Sequence, residues 1–166
     1  MSGNRTSGKP TLALACAAGT LRFAIPACNV VRVLPRQTLL PVPGAPQAVA
    51  GMLRYLDQLI PAIDLCQLML NRNALACPAT RMVIVDLAAL QSHAHAAKWL
   101  VLIAEDVLDL IEVEASETAL SLPDAPWLGD FAKTAQSSLQ WLALEKLMPE
   151  TLAQLCIVAM PIEGAP

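Results

Sequence analysis

The chain has 166 residues, of which 55% are hydrophobic and 15% charged, with a net charge of −3. This composition excludes extended disorder, and the length suits one domain or two small units sharing a core. No Lys/Arg cluster is present to neutralise phosphates, so nucleic-acid binding is disfavoured, and no run reaches the ~18 apolar residues of a membrane span. So much apolar surface with so few charges points to coverage by partner proteins.

Residues 1–10, MSGNRTSGKP, read as a disordered tail. A weakly basic start before LALACAAG superficially resembles a secretion signal. The apolar run is short, however, and flows straight into an amphipathic strand, so a retained, cytoplasmic chain is expected. Thr11–Ala17 and Thr20–Ile25 are predicted strands around a tight turn at Ala18-Gly19. Pro26–Val30 suits one helical turn, and Val30–Leu34 continues as strand. Four prolines between 35 and 46 forbid regular structure there, apart from a short turn at 46–50 ending on Gly51. Gly51–Leu56 and Leu59–Ile63 form a hairpin across Asp57-Gln58. Asp64 caps a short helix, Leu65–Leu70, with Gln67 completing a capping box.

Asn71–Thr80 reads as a linker, Arg81–Leu87 and Trp99–Ala104 as strands, and Val107–Val113 as their continuation. Ser116–Asp130, with Pro123, Pro126 and Gly129, is expected to be irregular. Leu139–Leu144 is a strand, Glu145–Met148 starts a short helix, and 150–160 is a terminal helix or strand.

Three segments echo one another in preserved order. Val30 returns as Val107, Pro46 as Pro126 and Met69 as Met148, at offsets of 77, 80 and 79. A near-constant offset is the mark of an internal repeat. The expected fold is therefore all-β: two pseudo-symmetric five-stranded barrels with short helices, the first about 11–70, the second about 81–150, joined by 71–80.

Chemistry-bearing motifs are missing. The sequence contains no G-x-x-x-x-G-K, G-x-G-x-x-G, H-E-x-x-H or G-x-S-x-G. Five cysteines, Cys16, Cys28, Cys66, Cys77 and Cys156, are odd in number and none form C-x-x-C. They read as free reduced thiols, all but Cys77 in apolar runs. A metal site from Cys77, His93 and His95 is disfavoured by spacing. The carboxylates Glu105, Asp106, Asp109, Glu112, Glu114 and Glu117 read as a solvated strand edge that blocks aggregation. Trp127 and Trp141 read as core or interface anchors. No enzyme activity, metal or cofactor is expected.

The stretch GMLRYLDQLIPAIDL, 51–65, resembles the G-V-x-N-L-R-G-x-I-V-P-V-V-D-L motif of CheW-like bacterial chemotaxis adaptors. Gly51, Leu59, Ile60, Pro61, Ile63, Asp64 and Leu65 match. FAIPACNVVRVL is similar to the family's Y-A-L-x-x-x-x-V-x-E-V strand, and LVLIAEDVLDLI to its G-x-x-V-D-x-V-x-x-V. The tail QWLALEKLMPETLAQL is similar to adaptors of surface-sensing Wsp-type pathways. The resemblance implies SH3-like barrels and a non-catalytic scaffold. Such a scaffold couples the cytoplasmic tip of a methyl-accepting chemoreceptor to the regulatory domain of a CheA-type histidine kinase. It implies receptor-array localisation, and contacts with other CheW-like domains.

By position it puts Val30, Arg32, Val33, Leu56, Asp57, Ile103 and Val107 at the partner surface, with Gly51, Pro61 and Asp64 structural. Two departures stand out: Leu56-Asp57 replaces the family's Arg-Gly, and Arg32 replaces its Glu. Other classes open to this sequence are an unrelated small-barrel interaction module and a secreted or lipid-anchored β protein.

Overall fold

The computed structural model describes residues 9–88, 99–115, 122–135 and 137–147. Strands β1 (Thr11–Ala18) and β2 (Leu21–Pro26) lead through a 3-10 turn, Ala27–Asn29, into β3 (Val30–Pro35). β4 (Val49–Tyr55), β5 (Gln58–Asp64) and helix α1 (Leu65–Leu70) follow. The chain continues through β6 (Arg81–Asp86), β7 (Trp99–Ala104), β8 (Leu110–Ala115), β9 (Leu128–Lys133) and β10 (Ser138–Leu142), then a 3-10 turn at Leu144–Lys146. The all-β, two-unit expectation holds. The expected tail, His93 and His95, and the terminal segment 150–160 fall wholly or mostly outside the described residues.

The division into 11–70 and 81–150 does not match the strand pairing. One closed barrel has the order β1-β2-β10-β9-β8, and a second five-stranded sheet the order β3-β6-β7-β5-β4. Each N-terminal hairpin therefore completes the sheet of the other half. The physical reason lies in two parallel seams, β2 against β10 and β7 against β5. The Phe23–Gln140 pair of one seam corresponds to Val101–Ala62 in the other, each member displaced by 78 positions (23 to 101, 62 to 140). The repeat is real in the fold, but its units are strand-exchanged.

This exchange explains why β1 is apolar and buried from Ala13 to Ala18. Leu14, Cys16 and Ala18 face the main core shared with the second sheet, whereas Ala13 faces the barrel interior with Ala24, Val113, Ala132 and Leu139. A strand covered on both faces reads as an uninterrupted apolar run. β5 and β7 contribute Ile60, Ile63, Leu100, Leu102 and Ile103 to the main core, all nearly inaccessible.

Several local expectations need correction. The β4–β5 turn is centred on Leu56 and Asp57, both left-handed (φ 44° and 59°), with Tyr55 facing Gln58 across it. The fully left-handed pair matches the strand twist, as in a type I′ hairpin, which moves the turn one residue before Asp57-Gln58. β9 begins inside the stretch expected to be irregular, at Leu128, and runs past its end at Asp130. Asp64 does cap α1, its Oδ1 accepting from Cys66 N at 2.9 Å and Gln67 N at 3.2 Å. Gln67 does not close a capping box; its amide donates to Asn71 Oδ1 at 3.2 Å. Asn71 ends the helix in the left-handed region.

Gly51 sits at a register shift in β4 with φ 143°. A Cβ there would lie 2.5 Å from Leu40 O, whose residue pairs with Met52 through two backbone hydrogen bonds of 2.9 and 2.8 Å. Pro61 is buried opposite Met52, just before the β5–β7 ladder starts at Ala62, so its missing N–H interrupts no pairing there. Gly51→Ala should destabilise the fold by about 1–3 kcal/mol, through strain and loss of the Leu40–Met52 bridge. Urea unfolding checks this; an unchanged midpoint would remove the steric account.

Candidate partner-binding surface

Two carboxylates read differently from sequence turn out to organise the region where the two sheets meet. Glu105, the residue after β7, is only 6% exposed. Its carboxylate accepts from Arg72 in a two-pronged contact at 2.8 and 3.2 Å, from Gly19 N at 3.0 Å and from Leu75 N at 2.9 Å. Gly19 belongs to the β1–β2 turn of the closed barrel, and Glu105 to the second sheet, so this one side chain ties the units together. Asp64 Oδ2 adds a bond from Ala74 N at 2.9 Å.

The Arg72 guanidinium, helped by the Leu75 and Gly19 amides and a thiol contact from Cys66, outweighs the opposing effect of burial. Together they pull the Glu105 carboxyl down to about 2. The edge-protection reading of the acidic run is therefore wrong for Glu105. Nor is β8 a free edge, since it pairs with both β1 and β9. Asp106, Asp109, Glu112 and Glu114 are exposed as expected, and Glu117 lies outside the described residues.

Two of the described thiols are inert, while the contact with Thr80 lowers the pKa of exposed Cys77. Burial pushes Cys16 and Cys66 up to about 12, where the reactive thiolate is essentially absent. Cys28 is exposed rather than buried, and Cys77 is exposed as expected, with its thiol 3.4 Å from Thr80 Oγ1. Among the described residues no group of three His, Cys, Asp or Glu is placed to hold a metal. Trp127 and Trp141 are half-buried against the main core and the barrel core respectively.

The residues assigned to partner contacts divide sharply. Arg32 and Val33 are exposed on β3, Val33 at 39%, and Val30 and Val107 are half-buried against the core. Leu56 is 70% exposed at the tip of the β4–β5 hairpin, beside exposed Asp57. Ile103 is a correction: it is fully buried, paired with Met82 and Asp64, because the β6–β7–β5 ladder closes over it.

The structure adds residues that the motif comparison missed. Leu12, Leu108 and Leu110 are all exposed, Leu108 at 61% and Leu110 at 54%. Leu110 pairs with Leu14, and Leu12 lies two residues from Leu14 on the same side of β1. Leu14 packs into the core between the two units, so Leu12 and Leu110 border the junction. β1 also packs against the 3-10 turn that leads into β3, with exposed Val31 and Val33 beyond it. The alternation Leu108-Asp109-Leu110 was the available signal, obscured by the neighbouring acids.

With this geometry in hand, the comparisons agree. The CheW-like domain family model matches residues 13–151, and the chain belongs to that family. CheW-like proteins are non-catalytic scaffolds, which accords with the absence of catalytic motifs in the sequence. The fold is similar to that of the scaffolding protein TtCheW from Thermoanaerobacter tengcongensis, with a TM-score of 0.68 and 16% identity. The match covers 90% of this chain and 94% of that one. No curated protein matches significantly in sequence.

Two outcomes follow. Glu105→Gln should lower stability by about 2 kcal/mol or more at neutral pH, because it removes the charge from a buried, hydrogen-bonded pair. The folded carboxyl titrates near 2 against an ordinary value of 4.5. Its stabilisation is therefore complete above about pH 4.5 and lost as pH falls towards 2. Thermal melts across that range should show a steeper acid loss in the wild type than in the variant. Leu56→Asn should raise stability by about 0.5–1 kcal/mol, since Asn tolerates the left-handed region that Leu occupies at a cost; a lower melting temperature would contradict this.

Proposed function

We propose that this protein is a non-catalytic adaptor that couples the cytoplasmic tip of a methyl-accepting chemoreceptor to the regulatory domain of a CheA-type histidine kinase. In this reading it works in the cytoplasm, at receptor arrays. The observation that carries the reading is a set of exposed apolar residues: Leu12 and Leu110 on the barrel, Leu108 just before β8, and Val31 and Val33 on β3. Contiguous exposed apolar surface marks protein-interaction sites. Family membership and the scaffolding role named for TtCheW support the same reading.

This set requires a mainly apolar partner face. Arg32 lies between Val31 and Val33 and makes no ion pair with any described residue. A matching partner therefore offers a carboxylate opposite it, where the family's usual Glu would have asked for a cation. Apolar anchors commonly cost 2 kcal/mol or more when lost from an interface centre.

Val33→Glu and Leu108→Glu should each weaken capture of a receptor-tip fragment or of the kinase regulatory domain at least about tenfold, as 1.4 kcal/mol implies. The melting temperature should hardly change, because both side chains already face solvent. Titration by calorimetry beside a melting curve checks this. Undiminished binding by both variants would exclude these residues as the docking surface.

A further inference from the structure

The tip of the β4–β5 hairpin carries a side chain that the fold does not use. Leu56 is 70% exposed and holds φ 44°, a left-handed backbone that a leucine adopts only at a cost. Asp57 follows it, also left-handed at φ 59°. Asp57 and Arg54 are both exposed, and neither makes an ion pair with any described residue. The tip is therefore a protruding apolar knob flanked by one unpaired carboxylate and one unpaired guanidinium.

The closed barrel presents the opposite shape. A cavity of about 550 Å³ opens on its β2, β9 and β10 side, beside α1. Leu21 and Phe131 in its wall are 43% and 38% exposed, and Leu68 and Met69 are half-buried. The surface open to an occupant is thus largely apolar. Arg22 and Asp124 also line it; both are exposed, and neither makes an ion pair with any described residue. The cavity therefore carries the same two charge types as the tip, each available to the opposite one.

We propose that the hairpin tip of one copy docks into this cavity of a second copy, head to tail. Leu56 enters between Leu21, Met69 and Phe131, with Asp57 facing Arg22 and Arg54 facing Asp124. Burial of Leu56 against apolar surface then offsets the backbone cost of its conformation. The chain supplies both the knob and the hole, with matching charges around each, which favours a second copy over a different partner. Tip and cavity lie on different sheets, so the contact is heterologous. One such contact leaves a free tip on one copy and a free cavity on the other, and association continues into a ring or an open chain. The inference uses neither receptor nor kinase and does not rest on the proposed coupling role.

Sedimentation velocity of the full chain is the test. The wild type should self-associate with a Kd below about 100 µM. Leu56→Asn, which suits the turn, and Phe131→Glu, on the exposed cavity wall, should each weaken self-association at least about tenfold, as loss of a central anchor does. Melting curves confirm that both are folded, and Leu21→Glu takes the place of Phe131→Glu if that variant is not. A mixture of the two variants separates this contact from any other. Leu56→Asn keeps an intact cavity and Phe131→Glu an intact tip, so together they should form a one-to-one heterodimer of wild-type affinity that grows no further. Arg22→Asp should weaken association, and adding Asp57→Arg to it should restore it. Three results would overturn the proposal: a wild type that stays monomeric up to about 1 mM, undiminished association in a folded tip or cavity variant, or no heterodimer in the mixture.

Discussion

The structure depends on the exchange of hairpins between its two halves. Without the other half's hairpin, β8-β9-β10 is a bare three-stranded remnant and β3, which pairs with β6 rather than β4, is cut off from β4-β5, so neither covers its own apolar face. Each reaches five strands only when the hairpin of the other half adds along a parallel seam. Parallel pairing brings together residues more than a hundred positions apart in β2 and β10, so neither half can assemble alone. The main core follows from this: it draws on β1, β2, β5, β6, β7 and α1 at once, and no single repeat owns it. A chain built this way should unfold as one cooperative body, because removing either hairpin opens both sheets.

Once the hairpins are exchanged, an irregular segment is left against the core. Residues 71–75 leave α1 where the β1–β2 turn arrives, and buried backbone needs partners. Asp64 and Glu105 supply them: Ala74 N goes to the first, Leu75 N to the second, while Arg36 Nη1 donates to Ala74 O at 3.1 Å. Arg72 neutralises Glu105 from the same segment. What sequence marks as a linker is thus a strap held by two carboxylates. Gly19 has no side chain at the crossing, and a Cβ there would lie 2.8 Å from Leu70 Cδ1 and 3.2 Å from the Arg72 guanidinium. The acid that looked like one member of an exposed cluster is the one whose charge the fold cannot lose.

Local features were legible in the sequence and long-range ones were not. The cap at Asp64, the proline-broken passage after β3 and the near-80-residue offset each rest on chemistry within a few residues, or on order along the chain. The barrel partition failed because strand pairing is decided by which apolar faces meet, and β1 gives no hint of facing two cores beyond its unbroken run of small apolar residues. The hairpin turn failed because propensity favours Asp over Leu at positive φ, yet the register of Met52 with Pro61 and Tyr55 with Gln58 leaves Leu56 no alternative. Ile103 was assigned to the surface by alignment with a family strand; alternation alone cannot say which side of a strand is covered when both are. Leu12 and Leu110 were hard to place for the opposite reason, since apolar residues in strands are read as core, and the acids around Leu108 obscured its alternation with Leu110.

The departures from the family pattern make sense at the surface rather than in the fold. Arg32 and Leu56 are both exposed, and neither holds a described neighbour by hydrogen bond or ion pair. Reversing one charge and removing another therefore leaves every interior contact as it was. The change is spent on whatever meets β3 and the hairpin tip. A strained leucine left in water has no folding benefit: it costs backbone energy and exposes apolar area. In the proposed reading its place beside Asp57 is set by a protein partner, and unmatched groups at a docking surface are one general way to keep related pairs apart. The rigid exchanged core is what permits this, because it positions the tip and the exposed apolar residues without relying on either.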